Sequence, residues 1–199
     1  MPRFNTVGLI IGTRGTGKTA FIKGDSSVNV PGIIPIYKNK GTKILIIDTL
    51  DHPSYRDVPI LPQKNFKKWN KGIVRVIMEP DTILKFVNLI NQSPHLNNTF
   101  IIFEDAGKYT ERTLPKPFKR LIIDSKQRNI DITFIYHCFV DTPANIFTKS
   151  DYIQLFKTED SPIVRKNNIR LFDKVMTAYE LVKKHPNNFY GKFIDTRTA

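Results

Sequence analysis

Residues 12–19, GTRGTGKT, constrain this chain more than any other segment. They follow an apolar, β-branched run at residues 6–11 (TVGLII) that reads as a buried strand, and they lead into a helix expected from about Gly17 to Gly24. The spacing G-x-x-x-x-G-K-[ST] is met at Gly12, Gly17, Lys18 and Thr19. Glycine permits the tight turn that brings backbone N–H groups against phosphate oxygens, and a helix start adds partial positive charge. Gly12, Thr13, Arg14, Gly15, Thr16, Gly17, Lys18, Thr19 and Ala20 are therefore expected to wrap the phosphates of a nucleoside triphosphate, ATP in the simplest case. Lys18 should reach the β and γ phosphates, and Thr19 should place its hydroxyl on Mg2+.

The rest of the chain alternates short apolar runs with helical periodicity. Strands are expected at residues 43–48, 72–78, 99–103, 131–136 and 152–157, with an edge strand at 189–194. Helices are expected after a cap at Asp81, over 114–129 with Phe118, Leu121, Ile122 and Ser125 inward, and over 171–184. Residues 25–41 read as a loop or irregular insertion from their Gly, Pro, Ser and Asn content, and 51–71 as mostly loop from three prolines and five lysines or arginines. Such alternation predicts an α/β fold with a mostly parallel central sheet and helices on both faces, built as one domain over residues 1–199. In such sheets ligands bind beyond the carboxyl ends of the strands.

A second motif sits at one of those ends. Four apolar residues, 100–103, run directly into Glu104 and Asp105. One acid can hold the water shell of Mg2+ and its neighbour can orient or deprotonate an attacking water. By position Glu104 goes to the metal and Asp105 to the water. Runs 43–48 and 72–78 lie between this motif and the phosphate loop in sequence, which favours the additional-strand class of P-loop ATPases over nucleotide kinases. Arg128, at the junction of the 114–129 helix and the next strand, is a candidate to stabilise charge on the γ-phosphate of a neighbouring subunit. His137, at the end of that strand, is a candidate γ-phosphate sensor. Cys138 reads as buried rather than reactive.

The charge points to a partner. The net charge is +13 and the pI about 9.8, an excess that suggests a polyanion, most simply nucleic acid. The basic clusters are Lys64, Lys67 and Lys68, with Trp69 beside them as a packing or base-stacking residue, and Lys116, Lys119 and Arg120. One cysteine excludes an internal disulfide, no run approaches the length of a membrane span, and the apolar start is too short for a secretory leader. A cytoplasmic protein is expected.

The order GTRGTGKT, FIIFEDAG, KQRN, DITFIYHCFVDTP and YIQLFK resembles the FtsK/HerA group of P-loop ATPases, above all its small viral and phage genome-packaging members. The resemblance spans residues 6–158 and includes Pro143 after the fifth strand. It implies a RecA/FtsK-like core, a homo-oligomeric ring, ATP hydrolysis between subunits, sequence-independent movement of DNA, and docking on a capsid or membrane vertex. In that group the fifth strand usually ends in Gln; here His137, Cys138 and Phe139 stand there. Alternatives are an assembly or export ATPase that does not act on DNA, a small-molecule kinase with residues 165–170 as a thin arginine lid, and a nucleic-acid-binding protein with a degraded site.

Overall fold

Inner parallel strands are buried on both faces, because helices cover both, and four strands of this chain meet that condition in full. Val7–Ile11 (β1), Lys43–Asp48 (β2), Thr99–Phe103 (β4) and Ile130–Tyr136 (β5) are buried at every position. The computed structural model describes residues 5–28, 30–110 and 113–197; the first four residues of the leader reading lie outside these. With Ile73–Ile77 (β3), Tyr152–Leu155 (β6) and Lys192–Asp195 (β7), the strands form one sheet in the order β3-β2-β4-β5-β1-β6-β7. Every neighbouring pair is parallel except β6 and β7. The outer edge of β3 is partly covered, since Arg75 N–H donates to Pro59 O and Leu61 N–H to Arg75 O.

Alternate strand residues feed two cores. Leu9, Ile11, Ile101, Phe103, Ile132 and Phe134 face helices Ile83–Asn91 (α3), Lys116–Arg128 (α4), Ala144–Lys149 (α5) and Phe172–Lys184 (α6). Ile10, Ile44, Ile46, Phe100, Ile102 and Ile135 face Lys18–Lys23 (α1) and Ile33–Asn39 (α2). Phe103 and Phe134 stack at 5.0 Å, with Phe118 edge-on to Phe103 at 5.1 Å. This aromatic cluster fixes the ends of β4 and β5 relative to each other.

The departures from expectation have local causes. Residues 25–41 are not all loop: α2 forms after Gly32, which takes a φ of 74°, and buries Ile34. Its prolines flank the helix or sit within its first turn, where a missing N–H costs nothing. Asp81 does not cap α3; it lies in a 3-10 turn, Pro80–Thr82, and Thr82 occupies the cap position without a side-chain capping bond, its hydroxyl donating to Glu79 O instead. α5 was hidden because six residues are too few to show periodicity. As expected, β2 and β3 lie between β1 and β4 in sequence; in the sheet β5 lies between them.

Candidate functional site

Because β1, β4 and β5 are adjacent and parallel, their carboxyl ends open side by side. Ile11 is level with Tyr136, and Phe103 with Phe134. Each strand therefore delivers its next residues to one place: the loop from Gly12, the acids Glu104 and Asp105, and His137 between them. They line a cleft of about 900 Å3 that also takes in Lys23, Leu50, His52, Ser54 and Phe189. That volume suits a nucleotide.

The loop is fixed at both shoulders. Gly12 N–H donates to Tyr136 O, and Thr13 N–H to Lys157 O at 2.8 Å. A side chain at Gly12 would lie 2.6 Å from Phe156 Cβ, so the close approach requires glycine. Gly15 and Gly17 take φ values of 73° and 97°, in the left-handed region that only glycine enters freely. Thr16 is buried and its hydroxyl donates to Thr13 O, which closes the turn. Arg14 and Gly15 stay exposed, while Thr19 and Ala20 are half-buried in the cleft wall.

Lys18 leads to a line of contacts across β5. Its Nζ donates to Gly12 O and Thr13 O and lies 3.3 Å from His137 Nδ1. His137 Nε2 is 2.9 Å from Asp105 Oδ1, and Lys108 Nζ is 3.1 Å from Asp105 Oδ2. One tautomer of His137 satisfies both contacts: Nδ1 accepts from the ammonium and Nε2–H donates to the carboxylate. The His137 hydrogen bond, aided by Lys108, holds the Asp105 carboxyl well below the usual carboxylate range. Asp105 has a φ of 46°, a turn conformation that aims its side chain back at β5.

Glu104 has the opposite environment. It is buried, and its Oε1 accepts a hydrogen bond from the buried Tyr55 hydroxyl. Burial pushes its carboxyl up to about 7; the Tyr55 bond opposes the rise, whereas Asp105 and Asp48 add to it. Its folded value lies above the unfolded one, so its contribution to stability is complete below about 4.5 and is lost as pH rises through about 7. The expected result is that stability without nucleotide falls across this interval, and that Glu104→Gln flattens the fall. Denaturant midpoints measured across the interval check it; equal slopes in parent and variant would contradict it.

Sequence reasoning missed several site residues. Tyr55 lies in a proline-containing stretch that reads as loop, and only the fold brings it under Glu104. Asp48 was legible in principle, because it ends a buried strand just as Glu104 does. It is 1% exposed, accepts N–H groups of Leu50 and His52, and lies 3.5 Å from buried Arg75. It thereby shapes the turn that carries the cleft wall at residues 50–55. Lys23 ties that wall to α1 through Ser54 O at 2.6 Å and Asp57.

Other candidates lie elsewhere. Arg128 is at the opposite end of β5 from His137, and its Nη2 donates to Ile90 O and Ser93 O at the end of α3. Within one chain it does not meet the cleft. Lys64, Lys67 and Lys68 are exposed on a 3-10 turn, Gln63–Lys68, and Lys116, Lys119 and Arg120 are exposed at the start of α4. Phe66 of that turn and Phe118 of α4 enter the same core, so both clusters belong to one layer. Trp69 is buried, with its Nε1–H on Lys71 O, and serves packing. Cys138 is half-buried rather than buried; burial and its bond to Asp141 push the thiol up to about 12. Arg165 donates to Phe139 O and Val140 O and does not close over the cleft, which removes the kinase lid.

The donor set suits magnesium. Mg2+ is commonly held by one or two protein oxygens together with substrate phosphates, and the Thr19 hydroxyl and Glu104 carboxylate are hard oxygen donors lining one cleft. Among the described residues no group of three or more His, Cys, Asp or Glu side chains could cage a metal. No helix of the described residues is long and apolar enough to cross a membrane.

No protein-family model matches this sequence, and no curated protein sequence does. Solved structures do match. The chain is similar to the genome packaging NTPase B204 from Sulfolobus turreted icosahedral virus 2 in complex with sulfate, with a TM-score of 0.75, 17% identity, and coverage of 99% of this chain and 94% of that one. The same protein in complex with ATP-gammaS gives 0.74 and 17% over 98% and 94%. VirB4 of Thermoanaerobacter pseudethanolicus gives 0.66 and 10% over 98% and 88%. The chain therefore has the P-loop NTPase fold of the additional-strand class, almost end to end with a viral packaging NTPase.

Proposed function

We propose that this chain is an ATP-hydrolysing motor that moves DNA, of the viral genome-packaging kind, working as a single domain over residues 1–199. The observation that carries hydrolysis is the line Lys18–His137–Asp105 beside Glu104, closed across the strand that separates them. The DNA substrate is supported by the near end-to-end likeness to a packaging NTPase and by the net charge of +13.

In this reading the loop amides and Lys18 hold the β and γ phosphates. Thr19 and Glu104 would hold Mg2+, which would supply charge neutralisation at the phosphate oxygens. Asp105 accepts a hydrogen bond from the attacking water and orients it. A carboxylate held so far below its usual range is a weak proton acceptor, so orientation rather than proton storage is its part. His137 couples the water side to Lys18 and thus to the γ-phosphate. Arg128 faces the nucleotide of a neighbouring subunit, because its place at the far end of β5 excludes its own. That role requires a homo-oligomeric ring, with Lys64, Lys67, Lys68, Lys116, Lys119 and Arg120 following the phosphate backbone without reading bases. The ring works in the host cytoplasm, docked at a capsid or membrane vertex.

The test is the ATPase rate of the purified protein alone, with double-stranded DNA and with single-stranded DNA. Double-stranded DNA is expected to raise the rate. Replacing Lys116, Lys119 and Arg120 together by Gln is expected to weaken DNA binding and to reduce the log–log salt slope by about 3, one unit per lost phosphate contact. No stimulation by either nucleic acid would sink the motor reading.

A further inference from the structure

The cleft has a second end that the hydrolytic residues do not use. Glu104, Asp105 and His137 mark where the terminal phosphate belongs, so the nucleoside must leave the loop on another side. On the other flank of the loop, Gly17 lies against Phe189: a Cβ built on Gly17 would be 3.2 Å from Phe189 Cδ1. Phe189 lines the same cleft, and it is the only phenyl ring among the described residues that do so. It is 57% exposed, so the core does not employ it.

The loop that presents this ring is held tightly. Between α6 and β7, His185 stacks on Tyr190 with centroids 3.8 Å apart. Phe189 N–H donates to Asn187 Oδ1 at 2.8 Å, and Tyr190 N–H to Asn187 O. Asn188 Oδ1 accepts from Lys157 Nζ at 2.9 Å, and the carbonyl of the same Lys157 receives Thr13 N–H of the phosphate loop. One residue thus registers the aromatic loop against the phosphate loop. A rigid loop that spends its hydrogen bonds on holding an uncovered phenyl ring beside a nucleotide-sized cleft is organised for a flat partner.

We propose that Phe189 is the platform on which the nucleobase of the bound triphosphate stacks. The inference rests on the triphosphate reading of the loop and adds what recognises the base. Stacking on a phenyl ring reads π-surface rather than donors and acceptors, so purine triphosphates are preferred to pyrimidine triphosphates by area of overlap.

The experiment is calorimetric binding of two probes, ATP-gammaS and inorganic tripolyphosphate, to the parent protein, Phe189→Ala and Phe189→Trp. Tripolyphosphate carries the phosphates without a base. Phe189→Ala is expected to weaken ATP-gammaS on the order of tenfold or more, the usual loss for one base–aromatic stack, and to leave tripolyphosphate unchanged. Phe189→Trp is expected to restore ATP-gammaS affinity. Unchanged ATP-gammaS affinity in Phe189→Ala, or equal loss of both probes, would overturn the platform alone. Failure of the parent protein to bind either probe would overturn the triphosphate reading and the platform with it.

Discussion

Lys18→Ala is expected to abolish nucleotide binding while leaving the fold as stable as before or more so. Lys18 is a half-buried cation whose contacts are carbonyls and an imidazole nitrogen. Burial lowers its pKa from 10.5 to about 8, with Glu104 and Asp105 opposing the drop. For a value depressed by folding, the group's contribution to stability is present above about 10.5 and is lost as pH falls through about 8. At neutral pH the ammonium therefore works against folding, and in the proposed function its charge serves the phosphates. Thermal unfolding separates the two roles. A ligand at 100 times its Kd stabilises by about 2.7 kcal/mol, which for a chain of this size moves the midpoint by about 5–10 °C. The parent protein should show that shift with ATP-gammaS, and Lys18→Ala should show none from an equal or higher starting midpoint. A midpoint that drops without ligand would make Lys18 a structural cation. A preserved shift would place the phosphates elsewhere.

The same contrast between function and folding explains which features were legible in the sequence. The inner strands were readable because burial on both faces demands uninterrupted apolar residues, as in VGLII and TFIIF. The 116–128 helix was readable to the residue on its inner face: Phe118, Leu121, Ile122 and Ser125 are all buried. The phosphate loop was readable because its glycines answer a backbone requirement that few sequences meet by accident. What was not readable depends on contacts between distant residues. Tyr55 and Glu104 are 49 positions apart and meet only because β2 pairs with β4. Phe189 reaches Gly17 only because β6 pairs with β1 and β7 turns back along it. Helix α2 was obscured by its own Gly and Pro, which mark helix starts as readily as loops.

The second large effect is expected at Asp105. Asp105→Asn should keep nucleotide affinity near the parent value and lower turnover by about 100- to 1000-fold, the range for losing one positioned catalytic group. Asp105 accepts from His137 Nε2 through one oxygen and pairs with Lys108 through the other. An amide has only one acceptor oxygen, so its NH2 must face either the imidazole N–H or the ammonium, donor against donor. Relief requires His137 to change tautomer, which turns an N–H toward Lys18 and breaks the 3.3 Å contact there. The substitution thus disturbs the whole line while leaving the amides of the 12–19 loop, the proposed phosphate cradle, untouched. His137→Gln keeps a donor and an acceptor between Lys18 and Asp105, and should retain more turnover than His137→Ala. Measuring kcat and the Kd for ATP-gammaS separately tests this. Parent-like turnover in Asp105→Asn would remove Asp105 from the chemistry, and equal defects in the two His137 variants would remove the relay. If both results hold as expected, the His137 position acts through its pattern of donor and acceptor and not through its charge.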